Sequence, residues 1–190
     1  MTVAKTSMLI RRPVADVFEA LVDPDVTTRF WFTKSSGRLL DGAHVTWAWE
    51  MYGVSAEVDV VAVEPDERIV IRWPSYSGTP STVEWTFTDR GDGTTYVSVV
   101  ESGFSPGDMD IAEQAVESTQ GFSFLLAGMK AWLEHRIELG LVPDAHPDQL
   151  VHRQPLLDAA EGRQPTVVSG CGTRAPASRG TPASPRAGPP

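Results

Sequence analysis

GFSFLLAGMKAWLEHRIEL, from Gly121 to Leu139, is the densest part of a helical pattern that runs from Ile111 to Leu141. Ala115, Ser118, Phe122, Leu125, Met129, Leu133 and Arg136 recur at steps of three and four. Val116, Leu126, Trp132 and Ile137 flank that line and broaden it into one apolar face. Glu113, Glu117, Gln120, Lys130, Glu134 and Glu138 fall on the other side, so the helix has a wet back. About 30 residues at about 1.5 Å each make a rod of about 45 Å. A face of that length must be buried against something equally long.

The chain ahead of this helix reads as the sheet that receives it. Val3 to Arg11 alternates, with Ala4, Thr6, Met8 and Ile10 on one side. Pro13 to Val22 reads as a short amphipathic helix, and Asp23-Pro24 starts a second one, aspartate as N-cap and proline first in the turn. That helix ends in the cluster Phe30-Trp31-Phe32. His44 to Tyr52 alternates, with Val45, Trp47, Trp49 and Met51 on one face. Val54 to Glu64, Arg68 to Trp73, Thr82 to Thr88 and Thr94 to Glu101 repeat the period of two, and Gly91-Asp92-Gly93 is a hairpin turn. Consecutive half-buried strands joined by short turns predict an antiparallel meander that curls.

Composition narrows the function classes. The 190 residues are 41% hydrophobic, enough for one domain with a core. A net charge of −9 argues against nucleic acid and anionic membrane as partners. The single cysteine, Cys171, leaves no intrachain disulfide, and MTVAKTSMLIRRP lacks the basic-then-apolar order of a signal peptide. The expected location is therefore cytoplasmic. Residues 1–144 are read as the domain. Residues 145–190, rich in proline, glycine, arginine, serine and alanine, are read as a disordered tail.

Several short motifs occur together. A first strand leads into Arg12-Pro13-Val14-Ala15-Asp16-Val17-Phe18-Glu19-Ala20-Leu21, then Asp23-Pro24 and Arg29-Phe30-Trp31. Gly42 precedes a tryptophan-rich strand, Glu64-Pro65-Asp66 precedes Ile69-Val70-Ile71-Arg72-Trp73, and Thr82-Val83-Glu84-Trp85-Thr86-Phe87 follows. Glu101-Ser102-Gly103-Phe104, Gly121-Phe122 and Leu133-Glu134-His135 complete the set. In this combination residues 3–141 resemble the SRPBCC (START-like, Bet v1-like) superfamily and, within it, the AHSA1-like branch named after the activator of Hsp90 ATPase. The resemblance implies an α+β helix-grip fold. In it, a curved six- to seven-stranded antiparallel sheet wraps a long C-terminal helix, two short helices follow the first strand, and a hydrophobic cavity lies between helix and sheet. The superfamily holds lipid and hormone binders, polyketide cyclases and co-chaperone-like proteins on this one scaffold, so function must come from the site.

The inward parity of Trp47, Trp49, Trp73 and Trp85, with Phe122, Leu125 and Met129 on the helix and Trp31 at the mouth, nominates a lining for an apolar ligand. Glu101 shares the inward parity of Val97 and Val99. A buried carboxyl there would serve as acid or base, with Arg72, Tyr52 and His135 as possible companions. No metal is expected: His44, His135, His146 and His152 are scattered, and no paired His/Cys spacing exists. No cofactor is expected either. The reading is a non-enzymatic domain binding a small hydrophobic molecule. A polyketide cyclase- or dehydratase-like enzyme and a co-chaperone-like protein-interaction module stand as alternatives.

Overall fold

The period-two pattern becomes seven strands. In the computed structural model, which describes residues 1–75 and 78–151, these are β1 (Ala4–Ile10), β2 (Lys34–Ser35), β3 (His44–Trp49), β4 (Val54–Glu64), β5 (Arg68–Pro74), β6 (Pro80–Asp89) and β7 (Thr95–Ser102). They form one antiparallel sheet in the order β1-β7-β6-β5-β4-β3-β2. From β2 to β7 each strand lies beside its neighbour in sequence. The exception is β1, which crosses to β7 in the register Ala4↔Glu101 to Ile10↔Thr95. The alternating residues Val45, Trp47, Trp49, Ala56, Val58, Ile69, Ile71, Trp73, Val83, Trp85, Phe87, Val97 and Val99 are all buried on one face. At Val61 the register slips between Val60↔Ile71 and Ala62↔Val70. This bulge turns Val61 to solvent and sharpens the local twist.

Two short helices, α1 (Val14–Val22) and α2 (Pro24–Thr27), follow β1, and α3 (Ile111–His135) lies across the buried face. The Asp23 carboxylate accepts from Asp25 N at 3.0 Å and caps α2, with Pro24 in its first turn. Asp110 and Glu113 form a capping box at the start of α3, each side chain bonded to the other's backbone N–H. Phe122, Leu125, Leu126, Met129 and Leu133 are buried along its inner side, each contributing about 1.5–3 kcal/mol. The helix is held to the end of β1 by Glu134, whose Oε1 accepts from Arg11 N at 2.7 Å and Lys130 Nζ at 2.5 Å. Burial pulls that carboxyl up, but these bonds and the charges of Lys130 and Arg11 outweigh it and hold it below its ordinary range.

Four local expectations are corrected. The helix ends at His135, not Leu141: Arg136 turns left-handed (φ 58), its N–H bonds Trp132 O, and Ile137 N donates to Ala131 O at 3.3 Å. Ile137 and Leu139 are consequently exposed, and so is Val116, about 100° around the helix from buried Ala115. The strand beginning at His44 stops at Trp49, and Glu50–Tyr52 form a 3-10 turn that takes Met51 and Tyr52 out of the sheet. Pro13 caps α1 from outside instead of forming its first turn. The two-residue β2, too short for a periodic pattern, pairs with Trp47 and Ala48.

Beyond α3, a short helix α4 (Leu141–Ala145) and a 3-10 turn (Pro147–Gln149) follow. Val151 N then donates to Met51 O at 2.9 Å, laying the chain back on the turn after β3. The tail reading from residue 152 onward, His152 and Cys171 included, lies outside the described residues. Among the described residues no helix is long and apolar enough to cross a membrane.

One glycine sets how closely α3 approaches the segment after α2. A Cβ on Gly128 would stand 2.9 Å from Phe30 Cβ and 3.1 Å from the Phe30 carbonyl oxygen. Gly128→Ala gains about 1 kcal/mol of helix propensity but meets an overpacking cost at the upper end of about 1–3 kcal/mol, because backbone cannot step aside. The expected result is a lower urea midpoint with unchanged slope. A midpoint at or above that of the parent protein would contradict this packing.

Candidate functional site

The site is built around Trp31, carried on the turn that follows α2 and fixed there by Trp31 N donating to Thr27 O at 3.0 Å. Its indole lies 4.8 Å from the ring of Trp47, 6.0 Å from Trp49, 6.2 Å from Trp73, 6.1 Å from Trp85 and 6.5 Å from Phe122. Phe122 in turn stacks on Trp73 and meets Trp85 edge-on, both at 6.0 Å. Each such pair adds about 0.5–1.5 kcal/mol to the burial of its rings. All eight residues nominated from sequence as ligand contacts (Trp31, Trp47, Trp49, Trp73, Trp85, Phe122, Leu125 and Met129) belong to this one buried cluster. Their side chains occupy the space between α3 and the sheet where the fold resemblance implies a cavity.

Two grooves flank the cluster at the surface. One, of about 330 Å³, opens onto Trp31 and Phe30 and is walled by Met51, Gly128, Leu141 and Val142, with Arg29 and Glu138 at its rim. Arg29 pairs with Glu138 at 3.3 Å and lies over the Trp132 ring at 5.6 Å; Arg136 sits 5.5 Å from the same ring. The other groove, of about 450 Å³, lies between α1 and the end of α3. Its charged lining is already engaged, Arg12 with Asp16 and Glu19 with Arg38.

Beyond Trp73 the apolar cluster ends on a carboxyl. Glu101, 2% exposed, accepts at Oε1 from Trp73 Nε1 at 2.8 Å and from Ser81 Oγ. Its Oε2 has no hydrogen-bond partner, and Ser118 on α3 stands beside the carboxyl. Burial pushes this acid above its ordinary value, and the Ser81, Trp73 and Ser118 groups pull it only partly back. The indole N–H groups of Trp49 and Trp85 are also buried without partners. Each unpaired group costs about 1–3 kcal/mol in a folded interior.

The companions nominated for Glu101 are elsewhere. Arg72 is exposed on the outer face of β5, and His135 is exposed at the end of α3 with Nε2 3.7 Å from Glu134 Oε2. The Tyr52 hydroxyl donates to Val142 O. Of the groups beside the carboxyl, Ser118 was read only as part of the helix's apolar line, and Ser81 and the fully buried Gln114 were not singled out. A signal existed for all three: Ser81 shares the parity of Val83 and Trp85, Gln114 and Ser118 stand one turn apart, and Ser118 continues into the Phe122–Leu125–Met129 line. Among the described residues no group of three or more His, Cys, Asp or Glu stands together to hold a metal ion.

A curved seven-stranded antiparallel sheet closed by one long helix over an aromatic interior is the helix-grip architecture of the SRPBCC superfamily. The family model described as activator of Hsp90 ATPase homolog 1-like protein matches residues 11–134, and the chain belongs to that family. Among solved structures, SSP2350 from Staphylococcus saprophyticus is 28% identical over 73% of this chain and 96% of its own, with a TM-score of 0.62. DynU16, described as a putative protein in the dynemicin biosynthetic locus, is 23% identical over 72% of this chain and 48% of its own, TM-score 0.62. The Aha1 dimer from Colwellia psychrerythraea is 15% identical over 71% of this chain and 98% of its own, TM-score 0.61. The last two show a shared fold. No curated protein matches the chain.

The raised Glu101 and the lowered Glu134 make opposite contributions to stability. Glu101 keeps its proton in the fold at pH values where the unfolded chain has lost it, so its contribution is complete at low pH and lost as pH rises through its folded value. Glu134 contributes above the ordinary carboxylate range and fails as pH falls through its lowered folded value. Thermal melts of the parent and of Glu101→Gln, from mildly acidic to mildly alkaline pH, should therefore diverge in the variant's favour as pH rises. Parallel curves would place Glu101 in contact with water.

Proposed function

We propose that this domain binds a small hydrophobic molecule between α3 and the sheet, without transforming it, and that the molecule enters by the groove ending on Trp31. The observation that supports this is the position of Trp31. It is at once the floor of a groove of about 330 Å³ and the hub of the interior rings. That volume falls within the range of small-molecule sites, about 300–1,000 Å³. Trp31 sits outside helix and strand, so its ring can swing toward the groove without breaking a ladder of backbone bonds. A flat apolar guest would then take its place against Trp47, Trp73 and Phe122, exchanging one set of ring contacts for another. The unpartnered N–H groups of Trp49 and Trp85 offer donors to such a guest. Turnover is left out because Arg72, Tyr52 and His135 give Glu101 no second titratable group to exchange a proton with.

Naphthalene, titrated against tryptophan fluorescence, tests the reading. The parent protein should show saturable quenching, and Trp31→Leu should bind several-fold more tightly because no ring has to be displaced. The same variant should lose stability, by less than the ~3–5 kcal/mol of a tryptophan-to-alanine truncation, because leucine fills part of the space. Absence of saturable quenching in both proteins up to the solubility limit of the probe would overturn it.

A further inference from the structure

The binding reading leaves unused a set of buried oxygens beside the first half of α3. Gln114 is 0% exposed and gives both amide hydrogens to carbonyls, Ser105 O at 2.9 Å and Met109 O at 2.8 Å. Those two acceptors fix which way the amide points, and its Oε1 is left without a partner. Glu101 has the same character: Oε1 is taken by Trp73 and Ser81, and Oε2 is free. Ser118 joins the two, since it faces Glu101 and lies one turn from Gln114 on the same side of α3.

Unpartnered oxygens of Glu101 and Gln114 thus lie buried beside the first half of α3, next to an otherwise apolar interior. A carbonyl, ether or carboxylate would leave the Gln114 oxygen unsatisfied, and a hydrocarbon would leave the oxygens as they are. A group with several hydrogens and a positive charge satisfies them, because hydrogen bonds to a charged partner are roughly twice as strong as neutral ones. The aromatic wall adjoins this end directly. Trp73 bonds Glu101 through its N–H and stacks its ring on Phe122, so a carboxyl and a ring face are presented within one side chain's reach.

We propose, resting on the binding reading above, that Glu101 and Gln114 form the polar end of the ligand site. They take the protonated primary amine of a ligand whose apolar body lies against Trp73, Trp85 and Phe122.

Three probes with one ring system separate the possibilities: 1-naphthylmethylamine, which only donates; naphthalene, which does neither; and 1-naphthoate, which only accepts. In the parent protein the amine should bind at least about tenfold more tightly than naphthalene, the range of one hydrogen bond to a charged group. Naphthoate should bind more weakly than naphthalene. In Glu101→Gln the amide oxygen can still serve Trp73 and Ser81 while its –NH₂ faces the site. The amine should then lose its advantage and naphthoate should gain. Gln114→Met, which removes the second acceptor, should reduce the amine's advantage several-fold. The ranking in the parent protein requires no variant, so a Glu101→Gln chain that fails to fold leaves the test standing. Equal binding of amine and naphthalene overturns the polar end and spares the binding reading. An amine preference that both variants keep also overturns it. Failure of all three probes to bind overturns both.

Discussion

The indole of Trp31 lies where three pieces of chain meet: the turn after α2, the concave face of the sheet and the inner side of α3. Its contacts with Trp47, Trp49, Trp73, Trp85 and Phe122 require that α3 come down onto residues 28–32 at backbone distance. The missing side chain of Gly128 permits that approach beside Phe30. Without it, helix and sheet would stand further apart and the rings would lose their mutual contact.

Apolar packing is bounded at each end by a polar arrangement of a different kind. At the groove, Arg29, Glu138 and Trp132 form an exposed set in which charge is paired and a guanidinium lies on an indole. At the far end, Glu101 and Gln114 are buried and only half satisfied. The first arrangement reaches water and is worth little to stability. The second is expensive to keep, which is the physical reason for assigning it a purpose beyond holding the fold.

The fold was largely legible because it rests on two periodicities that solvent enforces. The period of two placed Trp47, Trp73, Trp85 and Glu101 on the inner face, where the sheet has them. The three-four spacing did the same for Phe122, Leu125 and Met129. Where a boundary depends on one backbone torsion the pattern was silent. Arg136 ends α3 in a left-handed turn that a glycine would ordinarily mark, and the bulge at Val61 has no glycine either. The site was less legible. Arg72 and His135 are chemically suited to pair with Glu101, but strand parity puts one outside the sheet and the helix terminus puts the other in solvent. The inward side of Ser81 follows from its parity with Val83 and Trp85, but its bond to Glu101 and those of Gln114 to the Ser105 and Met109 carbonyls are tertiary and not written in local spacing.

The pairing of β1 with β7 bears on the order in which the molecule comes together. Ser7 and Tyr96, 89 positions apart, meet across these strands. Closing a loop of that length costs about 4 kcal/mol before any contact offsets it. The strands from β2 to β7 can zip as successive hairpins while the chain is being made, but β1, made before all of them, must wait for the last strand. Until then the outer margin of β7 is open and Glu101 lacks the cover of Ala4 beside it. The amino-terminal residues therefore act as a late clasp, and they set when the acidic end of the interior is sealed.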